Sequence, residues 1–366
     1  MTVNFGQILT NMDKINASDL HIKSGCKPIY RINGRLVSIN HPVITKEEVT
    51  AIVNKILPEK LQERLKKDGA CDFAFSIDAS TRFRTNAFYQ KGTLSIALRR
   101  LYYQDLAFEK LGLPPVLDNI CKYKRGMILT TGPTGTGKST TMAAILENIN
   151  ATRSEHIITI EDPIEFVFVD RMSVIEQREI GIDARTFDES LRHALRQDPD
   201  VILIGEMRDR ETIQIAIRAA MTGHLVISTL HTINAVHTVS RIVKYFPTEE
   251  QASLRNELAT CLKSVISQRL IETADKKTRV PCVEIMIVND TVRKLIRENR
   301  IEDIEQIIKN GQDDMQSFDL SLSQLVKEGK ISMETGEEYA DDIPGFRRLC
   351  KGVSSSTDRS GILAGF

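Results

Sequence analysis

The sequence predicts an α/β protein of two domains, on three observations. The stretch GPTGTGKST at 132–140 matches a phosphate-binding signature and stands between an apolar run and a helical run. Short, nearly all-apolar runs alternate with helical stretches around it, as the strands of a parallel sheet covered on both faces do. The first hundred residues show instead alternating apolar and polar positions with turn residues between the runs, which is typical of an antiparallel sheet.

The N-terminal residues predict a small α+β domain. An amphipathic opening segment precedes SDLHIKSGCKPIYRINGRL, where the alternation and the turn residues NG predict a β-hairpin. A helix is predicted from the cap-like Thr45, which is followed by Glu47 and Glu48, to about Lys67. Three further alternating runs complete the predicted sheet: CDFAFSID, TRFRTNAFYQ and TLSIALRRL.

The second part of the chain predicts the parallel sheet. Two adjacent prolines in LGLPPVLDN mark the boundary, and the apolar strands GMILTT, HIITIED, DVILIGE and HLVISTL follow. After about Thr248 the pattern is helical through SLRNELATCLKSVISQRLI and DTVRKLIRENRIEDIEQIIKN. The predicted organisation is an N-terminal domain at 1–110, a linker at 111–120, a core at 121–290, a helical region at 291–350 and a disordered tail at 351–366.

Composition argues against several classes of protein. Lys plus Arg and Asp plus Glu are equal at 49 each, and aromatic residues make up 5% with no tryptophan, so nucleic acid is not an expected partner. Six scattered cysteines without a C-x-x-C pair indicate reduced thiols rather than disulfides or a zinc site. With no signal peptide or membrane-spanning run, we expect a soluble, intracellular protein that reaches a membrane only through a partner.

The phosphate-binding signature predicts a site for a nucleoside triphosphate. Its glycines let the loop turn so that backbone N–H groups face phosphate oxygens, and the following helix adds a favourable dipole. Lys138 is expected to reach the β- and γ-phosphates, and the Ser139 hydroxyl to ligate Mg²⁺. The residues predicted to bind ATP are Gly132, Pro133, Thr134, Gly135, Thr136, Gly137, Lys138, Ser139 and Thr140.

Two predicted strands end in acidic residues, and strand ends are where an open α/β sheet gathers its ligand-binding groups. DPDVILIGEMRD places Glu206 after Gly205; because glycine stands where an aspartate is usual, Glu206 is expected to act on Mg²⁺ through water. HIITIEDPIEF supplies Glu161, Asp162 and Glu165. We expect Glu165 to be the general base, with Glu161 as the second candidate. The alternative interpretation is that these are solvated loop acids.

Two histidines flank the run HLVISTLH. Neither a strand nor a helix here would bring His224 and His231 within reach of one metal ion. As a strand, the run places His231 at the nucleotide edge, where it is a candidate phosphate sensor. His224 lies at the other end, where a structural role or a subunit contact is expected. For His231 too, a structural hydrogen bond is the alternative.

Together these motifs resemble the secretion ATPases of type II secretion and type IV pili. GPTGTGKST, TIEDPIEF, DPDVILIGEMRDRETI and TGHLVISTLHT are similar to the Walker A, Asp box, Walker B and His box of that family, in which the glycine at Gly205 is expected. ASDLHI, RINGRL and RFRTNAF also resemble the family, so the likeness covers nearly the whole chain. It implies a RecA-like P-loop NTPase core, a smaller PAS-like N-terminal α+β domain and a helical C-terminal region.

The resemblance also implies roles for individual residues. Lys138 and Ser139 would bind ATP and magnesium, Glu165 would be the general base, Glu206 the Walker B acid, and His231 a residue near the phosphates. Members of the family are homo-hexameric motors with active sites between subunits. Three N-terminal residues match arginines that reach the nucleotide of a neighbouring subunit: Arg82, Arg84 and Arg99. Simple strand-surface charge is the alternative for these three.

The branch of the family is indicated by one segment. Assembly and export members usually carry a long N-terminal region and a four-cysteine zinc motif, whereas the corresponding SQRLIETADKKTRVPCVEIM has only Cys282. DTVRKLIREN is similar to the AIRNLIRE segment of PilT-type retraction ATPases. It keeps Arg293, Leu295, Ile296, Arg297 and Glu298 and departs at Thr291, Val292 and Lys294. Those departures leave an accessory PilU-type paralogue open.

The resemblance favours a hexameric motor that hydrolyses ATP with Mg²⁺ to power type IV pilus retraction, the basis of twitching motility. Its expected partners are an inner-membrane pilus platform protein and a paralogous ATPase, and its expected place is the cytoplasmic side of that membrane. The alternatives are a PilU-type accessory ATPase, a pilus-assembly or type II secretion ATPase, a RecA-like nucleic-acid translocase, and an ATP-binding scaffold that does not hydrolyse.

Overall fold

The computed structural model describes residues 4–32, 34–77, 81–101 and 106–352. The chain divides into two compact units. The first contains the residues up to 104 together with Asp162–Phe168 and Glu179–Asp183, and the second contains the remainder. Two short segments of the predicted core thus belong to the first unit. The predicted domain boundaries stay predictions. The tail predicted to be disordered lies, from residue 353 onward, outside the described residues.

The first unit contains a six-stranded antiparallel sheet. Its strands are β1 (Asp19–Lys23), β2 (Ile29–Ile32), β3 (Arg35–Ser38), β4 (Ala70–Ser76), β5 (Arg82–Gln90) and β6 (Thr93–Leu101), and its helices are α1 (Phe5–Lys14), α2 (Lys46–Ile56) and α3 (Glu59–Asp68). The strands pair antiparallel in the order β3-β2-β1-β6-β5-β4. Apolar side chains from helices and sheet form one core, including Met12, Val49, Phe73 and Phe83.

The helix predicted to run from Thr45 to Lys67 is in fact two helices. Its start is as predicted, because the Thr45 hydroxyl accepts a hydrogen bond from the Glu48 N–H at 3.2 Å and the Glu48 carboxylate accepts one from the Thr45 N–H at 2.8 Å. The single helix was wrong at Pro58, which lacks an N–H and disfavours helical geometry at Leu57.

The second unit contains a seven-stranded, mostly parallel sheet. Its strands are β7 (Gly126–Thr131), β8 (His156–Glu161), β9 (Val174–Glu179), β10 (Val201–Ile204), β11 (Leu225–Leu230), β12 (Leu262–Glu272) and β13 (Arg279–Ile287). The order is β13-β12-β7-β11-β10-β8-β9. Parallel pairs join β12, β7, β11, β10 and β8, and β13 runs antiparallel to β12. The four predicted apolar strands are β7, β8, β10 and β11.

Helices connect and flank this sheet. They are α4 (Phe108–Leu111), α5 (Val116–Ile120), α6 (Lys138–Thr152), α7 (Phe187–Ala194), α8 (Arg210–Met221), α9 (Ala235–Lys244), α10 (Thr248–Cys261), α11 (Asp290–Arg297), α12 (Ile304–Lys309), α13 (Phe318–Lys327), α14 (Met333–Tyr339) and α15 (Ile343–Cys350), with 3₁₀ turns at Ile301–Asp303 and Gln312–Asp314. No helix in the described part of the chain is both long and apolar enough to cross a membrane.

The prediction of helix through SLRNELATCLKSVISQRLI was wrong from Leu262 onward. Helix α10 ends at Cys261, and β12 then runs from Leu262 to Glu272 between β7 and β13. The apolar residues Leu262, Val265 and Ile266 have helix-like spacing, but a strand buried on both faces does not need strict alternation. Strand β12 therefore lies beside β7, the strand that leads into the phosphate-binding loop, where the sequence predicted no strand.

Candidate active site

The phosphate-binding loop (132–140) is formed where β7 ends and α6 begins. All six residues of β7 are buried, so the start of the loop is held by the sheet. Three glycines have φ values that other residues rarely adopt: 144° at Gly132, 80° at Gly135 and 91° at Gly137. Gly137 is the left-handed residue immediately before α6. The loop therefore turns sharply and presents its backbone at the N-terminus of a 15-residue helix.

The Lys138 ammonium lies against the loop itself. Its Nζ donates hydrogen bonds to the carbonyl oxygens of Gly132 at 2.8 Å and of Pro133 at 2.9 Å, and the residue is only 8% exposed. A buried cation is thus held beside the helix N-terminus. This arrangement places positive charge where the predicted nucleotide phosphates would bind.

The loop fits a phosphate group on a second observation. Within the described residues, no protein atom accepts a hydrogen bond from the backbone N–H groups of Thr134, Gly135, Thr136 or Gly137. Each of these donors is available to an external acceptor. Successive N–H groups in such a turn form an anion-binding concavity. The arrangement can therefore hold the phosphate oxygens of a nucleotide.

Glu206 and His231 meet at the ends of neighbouring strands. The parallel strands β10 and β11 end at Ile204 and Leu230, so Glu206 and His231 follow at the same edge of the sheet. His231 Nε2 lies 3.2 Å from a Glu206 carboxylate oxygen, and Arg208 forms an ion pair with the other oxygen. The Glu206 side chain is 13% exposed, whereas that of His231 is 51% exposed. This contact is of the kind given above as the structural alternative for His231, and the predicted role as a phosphate sensor stays a prediction.

Glu161 is a buried residue at the end of β8. Its carboxylate accepts hydrogen bonds from the Thr159 hydroxyl at 2.7 Å and from the Gln177 amide at 3.2 Å. Because Glu161 is only 9% exposed, the alternative interpretation of a solvated loop acid does not apply to it. Its hydrogen bonds direct the carboxylate toward protein partners, which weakens its candidacy as the base.

Glu165 lies on a segment that belongs to the first unit, whereas Lys138, Glu206 and His231 belong to the second. Glu165 is partly exposed. Within the first unit, the N–H of the preceding residue, Ile164, donates a hydrogen bond to the buried Glu179 carboxylate at 3.3 Å. The backbone beside the preferred general base is therefore fixed by a residue of the same unit.

Two of the three predicted arginines have carboxylate partners within this chain. Arg82 pairs with Glu179 at 2.9 Å, and Arg99 pairs with Asp19 at 2.9 Å. Burial raises the pKa of the Glu179 carboxyl, although Arg82 acts against this, so the pair does not fully offset the loss of water. Arg84 is exposed. The predicted contacts with a neighbouring subunit stay a prediction for all three.

His224 makes local contacts at the opposite end of β11 from His231. Its Nδ1 lies 3.0 Å from the Ala219 carbonyl oxygen and 3.3 Å from the Thr222 hydroxyl. These bonds join the end of α8 to the start of β11. They account for His224 as a structural residue, one of its two predicted roles.

The motif at 293–298, which resembles a segment of retraction ATPases, lies on the amphipathic helix α11 and the residue after it. Val292, Leu295 and Ile296 are buried, while the charged residues of the motif lie toward solvent. Arg293 pairs with Asp290 at 2.6 Å, which fixes one of these charges at the first turn. The helix packs against α10. The motif is thus displayed on a helix whose apolar face is already occupied.

The sequence reasoning missed a set of buried polar residues on β12 and β13. The Thr131 hydroxyl, immediately before the loop, donates to Ser267 Oγ at 3.0 Å. Ser267 lies opposite Glu284 and hydrogen-bonds its carboxylate, which also accepts the Ala235 N–H at 2.8 Å. Ala235 begins α9, shortly after His231. These hydrogen bonds connect Thr131, just before the phosphate-binding loop, to Ala235, shortly after His231, through Ser267 and Glu284.

Burial, with a smaller contribution from the charge of Asp341, raises the pKa of Glu284 to about 7. The hydrogen bonds from Ala235 and Ser267 and the charge of Arg269 act in the opposite direction but do not cancel it. The folded protein therefore keeps a proton on Glu284 between about pH 4.5 and pH 7, where the unfolded chain has released it. Unfolding releases that proton, so stability falls as the pH rises through this window.

We expect Glu284→Gln to remove this pH dependence, because the amide keeps both hydrogen-bond partners without ionising. Relative to wild type, the variant should unfold at a similar temperature at pH 5 and at a higher temperature at pH 8. At pH 8 its free energy of unfolding should be greater by up to about 3 kcal/mol. Thermal unfolding of both proteins at the two pH values measures this. Equal differences at pH 5 and pH 8 would contradict the assignment.

Residues 3–343 match the sequence model of the family described as Type II/IV secretion system protein. The chain belongs to this family. It is 43% identical over 335 residues to the type IV pilus retraction ATPase PilT of Pseudomonas aeruginosa, covering 91% of this chain and 97% of that protein. It is 35% identical over 358 residues to the type IV pilus ATPase PilU of the same organism, covering 97% of this chain and 94% of that one.

A solved structure supports the same relationship. The chain is similar to the crystal structure of the pilus retraction motor PilT with bound ADP, with a TM-score of 0.88 and 41% identity. The match covers 94% of this chain and 99% of that one. The predicted fold class and the predicted membership in the secretion ATPases are confirmed.

Proposed function

We propose that this chain is an ATPase that powers type IV pilus retraction. The observation that carries the proposal is the phosphate-binding loop with the buried Lys138, in a chain that is 43% identical to a retraction ATPase over 91% of its length. The same family contains secretion ATPases, so nucleotide chemistry is common to the candidates. The retraction role rests on the similarity to PilT and on α11.

The proposed reaction is hydrolysis of ATP to ADP and phosphate. The loop N–H groups and Lys138 hold the β- and γ-phosphates and stabilise the negative charge that develops on them. Glu165 accepts a proton from the attacking water as its oxygen bonds to the γ-phosphorus. The bond between that phosphorus and the oxygen bridging to the β-phosphate breaks, and the electron pair leaves with ADP. Glu206 and His231 lie at the edge where the γ-phosphate is expected.

Magnesium fits the oxygen donors that the site offers. Ser139 follows Lys138 at the start of α6, and Glu206 lies two residues after the end of β10. Mg²⁺ favours oxygen ligands and binds with few protein groups, keeping several waters and the substrate phosphates. The Ser139 hydroxyl would be a direct ligand, and Glu206 would act through water. When bound, the ion would offset the charge on the phosphates.

The proposed working form is a homo-hexamer in the cytoplasm, held at the inner membrane by the pilus platform protein. A second pilus ATPase is a further proposed partner, because P. aeruginosa has both PilT and PilU. In the ring, Arg84 is the predicted arginine best placed to serve a neighbouring nucleotide, since it is exposed and carries no carboxylate partner in the described residues. Arg82 and Arg99 would first have to leave Glu179 and Asp19.

Deletion of the gene, followed by microscopy of the pili, tests the proposed function. We expect many surface pili that no longer retract and cells that no longer twitch, because extension continues without its opposing motor. Restoring the wild-type gene should restore both. Bald cells would indicate an assembly or export ATPase instead. Pili that still retract would contradict the role as main motor and favour the PilU-type accessory role.

A further inference from the structure

The first half of strand β12 pairs with β7, the strand that leads into the phosphate-binding loop. Ser267 on β12 is paired with Thr131, the last residue of β7, so Gln268 stands beside the loop just beyond the end of that strand. Gln268 is 4% exposed. A buried amide side chain at this position requires a polar partner, and the loop and α6 supply the nearest candidates.

Gln268 touches the loop at two of its glycines. A β-carbon at Gly137 would lie 2.8 Å from the side-chain amide nitrogen of Gln268, and one at Gly132 would collide with the backbone carbonyl oxygen of Gln268. The loop backbone is therefore in direct contact with Gln268 at both its start and its end. Glycine is needed at these two positions for space as well as for the positive φ values.

Gln268 also holds the first turns of α6. Its side-chain oxygen accepts a hydrogen bond from the Thr141 hydroxyl at 2.7 Å, and Thr141 is 1% exposed. Thr141 lies three residues after Lys138, one helical turn along α6. A shift of this turn would move Lys138 and Ser139 relative to the loop N–H groups.

The neighbouring residue Ser267 acts on the opposite face of β12, because successive side chains of a strand alternate. It bonds Thr131 and Glu284, whereas Gln268 bonds Thr141. The strand therefore fixes the residue before the loop through one face and the helix after it through the other. Both ends of the loop are attached to a single strand.

We propose that Gln268 is a positioning residue for the nucleotide site, acting through Thr141 and the glycines of the loop to align Lys138 and Ser139 with the phosphates. The inference deepens the proposed ATPase function and rests on it. Displacements of about 1 Å at groups that bind the reacting phosphates are known to be costly. Gln268 itself needs no contact with ATP.

A double-mutant cycle on the full-length protein tests this. Gln268→Met keeps an unbranched side chain of similar length but accepts no hydrogen bond of comparable strength, and Thr141→Val keeps the shape of Thr141 without its hydroxyl. The dissociation constant for Mg–ATP and the KM and kcat of hydrolysis are measured for both single variants and the double variant. Ser264→Ala is the matched control, because Ser264 is buried on the same strand and bonds Met286, at the end of β12 remote from the loop.

We expect each single variant to weaken Mg–ATP binding and to raise KM by roughly five- to tenfold, the usual effect of one hydrogen bond. The double variant should be about as impaired as Gln268→Met alone, because Thr141→Val then has no bond to Gln268 left to remove. Ser264→Ala should bind Mg–ATP like wild type even if its melting temperature is lower. This separates positioning from a general loss of stability.

Several outcomes would overturn the inference. They are an unchanged dissociation constant in Gln268→Met, effects that add fully in the double variant, or an equal loss of binding in Ser264→Ala. If Gln268→Met does not fold, Thr141→Val removes the same bond from the other side. A wild-type dissociation constant for Mg–ATP in Thr141→Val would then contradict the proposal. A wild-type protein that binds Mg–ATP without hydrolysing it would contradict the ATPase proposal, while the dissociation constants would still decide the role of Gln268.

Discussion

Lys138→Ala is expected to lower the rate of ATP hydrolysis by about 10²- to 10³-fold, the range found when one charge-stabilising donor is removed from a preorganised site. The ammonium of Lys138 is almost entirely shielded from water and lies between two loop carbonyls. Its interaction with phosphate is therefore little weakened by solvent. Alanine leaves the charge that develops during hydrolysis without its nearest cation.

Steady-state hydrolysis and equilibrium ATP binding measure this effect. Lys124→Ala is a matched control, because it removes an exposed lysine two residues before β7 and changes the net charge equally. The control should hydrolyse ATP within about twofold of wild type, as is usual for surface substitutions. Hydrolysis by Lys138→Ala at more than half the wild-type rate would show that the phosphates bind elsewhere.

Glu165→Gln is expected to separate binding from chemistry. The variant should bind Mg–ATP with nearly wild-type affinity and hydrolyse it roughly 10²- to 10⁴-fold more slowly, because a general base is removed while the phosphate contacts remain. Single-turnover hydrolysis with radiolabelled ATP, alongside equilibrium binding, resolves the two steps. The amide preserves the shape of the side chain, so packing is not the cause of the loss.

Glu161→Gln is the informative comparison for that variant. Glu161 is buried, and the hydrogen bonds from Thr159 and Gln177 end on one carboxylate oxygen, which the amide of glutamine keeps, so Glu161→Gln should preserve this packing. Hydrolysis should fall less. If Glu165→Gln turned over ATP at the wild-type rate while Glu161→Gln did not, the second candidate would be the base and our assignment would be wrong.

The residues that the sequence located well are those fixed by local chemistry. The phosphate-binding loop is recognisable because its glycines and Lys138 are each needed at a fixed position, and three of the glycines have the positive φ values that such a turn requires. The strands β7, β8, β10 and β11 were found because strands covered on both faces are apolar throughout. Glu206 and His231 follow two of these strands at their common edge and lie in contact there.

The features that the sequence did not predict depend on distant residues. Arg82 and Glu179 are 97 residues apart and meet only through tertiary packing, which also brings the segment of Glu165 into the first unit. Strand β12 was missed because Leu262, Val265 and Ile266 imitate helical spacing, and Gln268 was missed with it. No local pattern marks a buried glutamine whose partner is Thr141, 127 residues earlier.

Equilibrium binding of a slowly hydrolysed ATP analogue to the purified full-length protein, with and without Mg²⁺, tests the central claim most directly. The account predicts saturable binding of one nucleotide per chain that Mg²⁺ strengthens and that Lys138→Ala greatly weakens. Absence of binding under conditions in which the protein is folded and assembled, or binding that Lys138→Ala leaves intact, would contradict it.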